Sequence, residues 1–326
     1  MENQQKILTS HKETVISIEE SLPIYRSQSK QMLRRFAKNR ASVISAIFIF
    51  LLAITAIFAP LTAPSGYDEV DFAAITQPPS AEHLFGTDAL GRDVLSRLIY
   101  GARVSLMVSI MAQLVIVLIG VPVGIISGYS GGWVDIVIQR IVDTLYAFPS
   151  LLFIIIVMTY LQGTLQESEG VIATALSALN ESTGGLLGVL IALGLVFWLT
   201  VSRIVRGEVL SIKEKEFVLA ARAIGGTHRH LMFRHILPNV MAPVLVAVTF
   251  GIPNVIMLEA GLSYLGLGTR PPVPSWGLMI AEGVRNFRSF PHLLIAPGLT
   301  LSLTLLAFNY LGDGIREALD PSMRGK

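Results

Sequence analysis

The feature that most constrains this chain is a set of long apolar segments. The first, residues 41–59, carries no charged side chain. As a helix it would extend roughly 28 Å, which is about the thickness of a bilayer core. Five further apolar segments lie at residues 104–129, 144–162, 182–202, 236–258 and 291–311. Only 15% of the 326 residues are charged, against about 25% in soluble domains. We therefore predict an all-α membrane protein with six transmembrane helices.

The basic residues predict how the chain is oriented. A cluster precedes the first apolar segment: Lys30, Arg34, Arg35, Lys38 and Arg40. Positive charge beside a span favours the cytoplasm, so we place both termini of a six-span chain there. All seven lysines, at positions 6, 12, 30, 38, 213, 215 and 326, fall on that side. The last extracytoplasmic segment fits this rule less well, because it contains Arg270, Arg285 and Arg288.

The segment between the first two spans, about residues 60–100, has a soluble character. Its first part is acidic and interrupted by prolines, so we expect it outside the cell. Its end has apolar residues at Leu90, Val94, Leu98 and Ile99, a spacing that suits an amphipathic helix. We expect that helix to lie near the membrane surface before the second span.

The polar segment from 203 to 239 is the most informative part of the chain. It contains seven basic residues: Arg203, Arg206, Lys213, Lys215, Arg222, Arg229 and Arg234. Good helix formers occupy 214–224, and Gly225 with Gly226 is expected to end that helix. Thr227 can cap a second short helix, and Pro238 suits the first turn of the next span. Such an ordered segment between spans predicts a surface for a partner.

Two features inside the spans have alternative interpretations. Gly120, Gly124 and Gly128 recur every fourth residue, which favours close packing against another helix, although membrane helices also tolerate glycine without such a contact. Glu259 is an acidic residue at the end of the fifth span. It is either a carboxylate in a substrate pathway or a boundary residue that hydrogen-bonds a neighbouring loop, and its position favours the second.

Several kinds of chemistry have no motif in this chain. There is no G-x-x-x-x-G-K-[ST] phosphate loop, no H-E-x-x-H metal motif and no G-x-S-x-G nucleophile motif. Cysteine is absent. His228, His230 and His235 are spaced so that they share no helix face well, so we predict no metal site there. The chain is therefore not expected to be an enzyme or to hydrolyse a nucleotide, and we expect no nucleic-acid partner.

One run resembles a known family signature. The run LAARAIGG, followed by RHILPN, resembles the cytoplasmic loop of ABC-transporter permeases, which has Glu-Ala-Ala, three residues, Gly and a later Leu-Pro. Ala220, Ala221, Gly225, Leu237 and Pro238 occupy the matching places, and Leu219 stands where the family has glutamate. The stretches FGTDALGRDVLSRLIYGARVSL, LSYLGLG and LGDGIREALDPSMR resemble the C-type permease of dipeptide, oligopeptide and nickel importers.

The resemblance implies a fold and a set of partners. The fold would be that of type I ABC importer permeases, paired with a homologous B-type permease. Two ATPase subunits, which would hold ATP and magnesium, would dock beneath, and an extracytoplasmic binding protein would deliver the substrate. Residues 203–239 would be the coupling loop. Its expected docking residues are Glu216, Phe217, Leu219, Ala220, Ala221, Arg222, Ala223, Ile224, Gly225, Leu237 and Pro238.

The function implied is import of dipeptides or oligopeptides across a prokaryotic cell membrane. Import of nickel or another small chelated solute by the same architecture is the alternative, and an ATP-independent transporter or channel is an alternative of another class. We divide the chain into a cytoplasmic tail (1–32), a first span with its external segment (33–100), a permease core (101–313) and a C-terminal tail (314–326).

Overall fold

The structure is a computed structural model that describes residues 28–167, Thr174, Ala178, Asn180 and residues 185–319. The tail at residues 1–27, most of the acidic segment between the third and fourth apolar segments, and residues 320–326 lie outside this part. The described residues contain no β-strand, apart from one isolated bridge between Thr87 and Asp93. The prediction of an all-α protein is confirmed.

The described residues form helices that we number in chain order. They are α1 Gln28–Lys38, α2 Arg40–Ile57, α3 Ala59–Thr62, α4 Val94–Ser130, α5 Gly132–Tyr146, α6 Ser150–Glu167, α7 Leu186–Ile212, α8 Glu216–Ala223, α9 His228–His230, α10 Leu237–Tyr264, α11 Trp276–Arg285 and α12 His292–Leu319. A π-helical segment, Leu231–Ile236, joins α9 to α10.

Five helical stretches in the described part are long and apolar enough to cross a membrane. They are α2, α4, α7, α12 and the continuous stretch His228–Tyr264. The sixth predicted span is a bent pair, because α5 and residues 150–161 of α6 meet at 88°. The predicted third span began at residue 144, whereas the structure turns at Pro149 before α6 starts. Counted with this pair, the prediction of six spans holds, and the orientation of the termini stays a prediction.

Two predicted helix boundaries are wrong. The separate interfacial helix does not exist, because α4 runs without a break from Val94, where the Asp93 carboxylate caps it by accepting from the Ser96 backbone N–H at 2.7 Å. The fourth span extends to Ile212, ten residues beyond its predicted end. Arg203 and Arg206 therefore lie on a membrane helix, where carboxylates on α5 partner both of them.

The fifth span is also more continuous than predicted. Pro238 lies in the first turn of α10, as predicted, but no break separates α10 from the second short helix. The helix α10 also runs through Pro243 and Pro253 without interruption. In the π segment the Leu237 backbone N–H reaches the carbonyl of Met232, five residues back. This wider turn carries the chain to Pro238, which has no backbone N–H to donate.

The most extensive helix contact in the described part is between α4 and α7. A Cβ atom added to Gly120, Gly124 or Gly128 would lie 2.9, 2.5 or 2.9 Å from a backbone carbonyl oxygen of α7. The glycine side of α4 therefore lies directly against the α7 backbone. Such close approach lets van der Waals contact hold the two helices together, since lipid supplies little hydrophobic drive between them.

At the end of α4 far from the coupling loop, charged side chains join three parts of the chain. The Arg97 guanidinium is 2% exposed and contacts Asp88 at 2.5 Å and Glu282, on α11, at 2.7 Å. Asp88 also accepts from the Arg92 side chain at 2.7 Å. This cluster ties the segment before α4 to α4 and α11. Removing one partner would leave a buried charge unpaired, which is strongly unfavourable.

We predict that Gly124→Ala destabilises the protein by about 1–3 kcal/mol, the usual cost of overpacking a tight contact. The added methyl group would meet backbone of α7, which cannot turn aside as a side chain can. Thermal unfolding in detergent should show a lower midpoint.

Gly207→Ala on α7 is the matched control, because a Cβ atom there meets nothing within 4 Å. Alanine is the better helix former, so its midpoint should stay the same or rise. Equal midpoints for the two variants would contradict the close glycine contact.

Candidate functional site

The coupling loop is attached to the end of α4 on both sides of α8. Before α8, the Lys213 ammonium donates to the Gly128 carbonyl at 3.1 Å. After α8, the His228 Nδ1 lies 2.7 Å from the Tyr129 hydroxyl. Because Gly128 and Tyr129 are neighbours in α4, a displacement of the loop acts on one point of that helix.

The helix α8 ends as the glycine pair predicted. The Gly225 backbone N–H donates to the Arg222 carbonyl, and the Gly226 N–H donates to the Ala221 carbonyl, each at 3.0 Å. These two bonds form a Schellman motif, in which Gly225 adopts a φ of +88°. A Cβ atom on Gly226 would lie 2.6 Å from the Ala221 carbonyl oxygen, so this position also requires close approach.

One side of α8 packs against the protein and the other is exposed. Val218 is fully buried in the core that also contains Leu231 and Ile236. On the exposed side, the apolar Ile224 side chain is 88% exposed. The other predicted docking residues that are exposed are Glu216, Phe217, Leu219, Ala220, Arg222, Ala223 and Gly225, and Pro238 is exposed at the start of α10, whereas Ala221 and Leu237 are half-buried. Most residues of the predicted set are thus accessible to a partner.

The three histidines of the loop take part in its packing. Thr227 caps α9, its hydroxyl accepting from the His230 backbone N–H at 3.3 Å. The ring of His235 lies 5.5 Å from that of His230 and 6.1 Å from that of Phe217, between ring centres. In the described residues, no group of three potential metal ligands occurs. The histidines thus connect α8, α9 and α4.

Two ion pairs that sequence reasoning missed join α5 to α7. Arg206 holds Asp135 through two hydrogen bonds of 2.6 Å, and Ser127 also donates to Asp135. Arg203 contacts Asp143 at 2.6 Å. The partners are 71 and 60 positions apart, so only opposite charges beside neighbouring apolar segments could have indicated them. Through these pairs, α5 is joined to the helix that leads into the coupling loop.

A cleft of about 1040 Å³ lies between α7 and α10 and is open at the protein surface. Its charged lining residues are Glu208 and Lys215, which belong to the coupling loop, and Arg316 near the end of α12. Farther from the loop the lining is apolar except for Gln113, Thr200 and Asn254, three uncharged polar residues that we call the inner polar set. Sequence reasoning did not single these residues out.

Glu259 does not line this cleft. Its carboxylate is fully buried and accepts from the Ser263 hydroxyl at 2.7 Å and the Ser105 hydroxyl at 3.2 Å. Ser263 in turn accepts from Ser275, which caps α11. Glu259 therefore joins α10 to α4, and through Ser263 and Ser275 its hydrogen-bond network reaches the segment between α10 and α11.

Two family descriptions match this chain. "Binding-protein-dependent transport system inner membrane component" matches residues 120–325. "N-terminal TM domain of oligopeptide transport permease C" matches residues 27–79. The first match includes the coupling loop and most of the residues that line the cleft, although Gln113 lies outside it, and the second includes the basic cluster and the first span.

Similar proteins agree with these two family descriptions. The chain is 40% identical to the oligopeptide transport system permease protein OppC of Escherichia coli, over 96% of this chain and 97% of that one. It is 37% identical to the dipeptide transport system permease protein DppC of Alkalihalophilus pseudofirmus, over 90% of each chain. A structure titled "Inward facing conformations of the MetNI methionine ABC transporter" has the same fold, with a TM-score of 0.51, 16% identity, and coverage of 68% of this chain and 96% of that one.

These matches and the apolar helices show that the chain is a multi-pass protein of a prokaryotic cytoplasmic membrane. The chain belongs to the binding-protein-dependent transport system inner membrane components, the permeases of ABC importers, and is a C-type member of the dipeptide, oligopeptide and nickel importer family.

Proposed function

We propose that this permease pairs with a homologous B-type permease to import dipeptides or oligopeptides, and that α8 docks on an ATPase subunit. The observation that carries the proposal is the form of α8, which exposes apolar side chains while its other side is buried. An apolar helix side presented to the aqueous phase suits a groove in a partner protein. An ATP-independent transporter or channel would leave this surface without a use.

The attachments of the loop provide a path for coupling. ATP and magnesium bound by the two ATPase subunits would close them, and closure would move α8. The contacts of Lys213 and His228 pass that movement to α4, and the Arg206–Asp135 pair passes it from α7 to α5. Because coupling is reciprocal, substrate delivery by the extracytoplasmic binding protein must in turn affect the ATPases.

The substrate proposal rests on the relatives and on the cleft. The named relatives transport dipeptides or oligopeptides. The cleft is open at the surface, so a second permease could close it to form the pathway. Import of nickel or another chelated solute remains the alternative within the family, and the inner polar set, which carries no charge, suits uncharged peptide groups better than a metal cation.

We predict that Ile224→Asp weakens retention of the ATPase subunits and peptide uptake by about tenfold or more, since loss of one buried aliphatic side chain is worth roughly 1.5–3 kcal/mol. We choose Ile224 rather than Gly225 for this substitution, because at Gly225 the φ of +88° would strain the backbone of any residue with a side chain. The measurements are the amount of ATPase subunit that co-purifies with the permease in detergent and the rate of peptide uptake into vesicles.

Leu61→Asp is the matched control, because Leu61 is 83% exposed on the opposite predicted side of the membrane. It should leave ATPase retention unchanged. Wild-type retention and uptake by Ile224→Asp would contradict docking through α8.

We also predict that the purified chain alone hydrolyses no ATP, since nucleotide chemistry belongs to the partner subunits. Phosphate release with magnesium and ATP should match a blank without protein, and the complete importer serves as the positive control. Hydrolysis that follows the isolated chain through successive purification steps would refute the division of labour.

A further inference from the structure

We propose that the inner polar set, Gln113, Thr200 and Asn254, binds the backbone of the transported peptide. This inference rests on the proposed function and adds the groups that would hold the substrate. The three residues come from α4, α7 and α10, so a ligand in the cleft would contact three different helices.

Gln113 provides the strongest observation. Its side chain is buried, with 4% exposure, at the wall of the cleft. The amide nitrogen donates to the Val248 carbonyl at 3.4 Å, but within the described residues the amide oxygen has no hydrogen-bond partner. A buried acceptor without a partner is unfavourable, so Gln113 is suited to accept from a ligand N–H.

Gly251 makes room for the Gln113 amide. A Cβ atom at position 251 would lie 2.0 Å from the amide nitrogen and 2.8 Å from the amide carbon. Gly251 itself lines the cleft. Any other residue at this position would push the amide away from the cleft wall, which makes the glycine part of the arrangement.

The other two members supply complementary groups. Asn254 is exposed to the cleft, and its amide nitrogen donates to the Phe250 carbonyl of the same helix at 3.0 Å. Its amide oxygen is an acceptor, and the exposed Thr200 hydroxyl can both donate and accept. Both groups can therefore bind N–H donors, and Thr200 can also bind a carbonyl.

The chemistry of this set matches a peptide backbone. Every peptide unit offers one carbonyl and, except at proline, one N–H, whatever its side chain. Neutral amide and hydroxyl groups can bind these without selecting side chains by charge. The charged lining residues Glu208, Lys215 and Arg316 are not part of this set. The ligand class is thus the uncharged backbone of a short peptide.

The test uses the complete importer in proteoliposomes and radiolabelled trialanine. Gln113→Leu and Asn254→Leu should each slow ATP-driven uptake by about tenfold, the effect of losing one hydrogen bond. ATP hydrolysis stimulated by the peptide-loaded binding protein should persist, because the coupling loop is unchanged. Asn309→Leu is the matched control, since the Asn309 amide also donates to the carbonyl four residues back, at 2.9 Å, outside the cleft.

A second measurement does not depend on a loss of activity. Because the chain has no cysteine, Thr200→Cys places a single thiol in it. Bromoacetyl-trialanine delivered by the binding protein should alkylate this variant, whereas Asn309→Cys should stay unlabelled, as judged by mass spectrometry of this chain.

Wild-type uptake by both leucine variants, or no labelling of Thr200→Cys, would overturn the inference. The proposed function would still hold in that case, provided that the unmodified importer takes up the peptide with ATP. Failure of the unmodified importer to take up trialanine would overturn both.

Discussion

The contact between the backbones of α4 and α7 is the constraint on which the other arrangements depend. Three glycines on α4 face carbonyl groups of α7, so the two helices lie closer than side chains would allow. At that separation Lys213, just beyond the end of α7, donates to the Gly128 carbonyl. The same contact places Arg206 of α7 beside Ser127 of α4, and both hold Asp135. The glycines thus position the polar contacts that join the membrane helices to the coupling loop.

The coupling loop combines firm attachment with an accessible surface. Its buried side chains and its hydrogen bonds to Gly128 and Tyr129 hold it against the end of α4. Its apolar residues at 217, 219 and 224 nevertheless remain exposed. Exposed apolar side chains are unfavourable in water. Their exposure in the chain alone therefore indicates a partner that covers them. Leu219, where the family signature has glutamate, adds to this apolar surface.

Local patterns predicted much of this structure, and contacts between distant residues account for what was missed. The apolar segments predicted the spans, and Gly225–Gly226 predicted the end of α8, because each depends on neighbouring residues. The full length of α7 was not predicted, because two arginines, Arg203 and Arg206, indicate a loop when their partners on α5 are not considered. The inner polar set was missed for a similar reason, since only folding brings Gln113 to Gly251.

The fifth span is one continuous helical stretch, so a tilt of this helix would move both of its ends. The stretch His228–Tyr264 has 37 residues, which corresponds to about 55 Å of helix. Its contact with Gln113 at Gly251 divides it into arms of 23 residues towards His228 and 13 towards Tyr264 (251 − 228 and 264 − 251). If the helix turned about this contact, its two ends would move in opposite directions, and the end at the coupling loop would travel nearly twice as far.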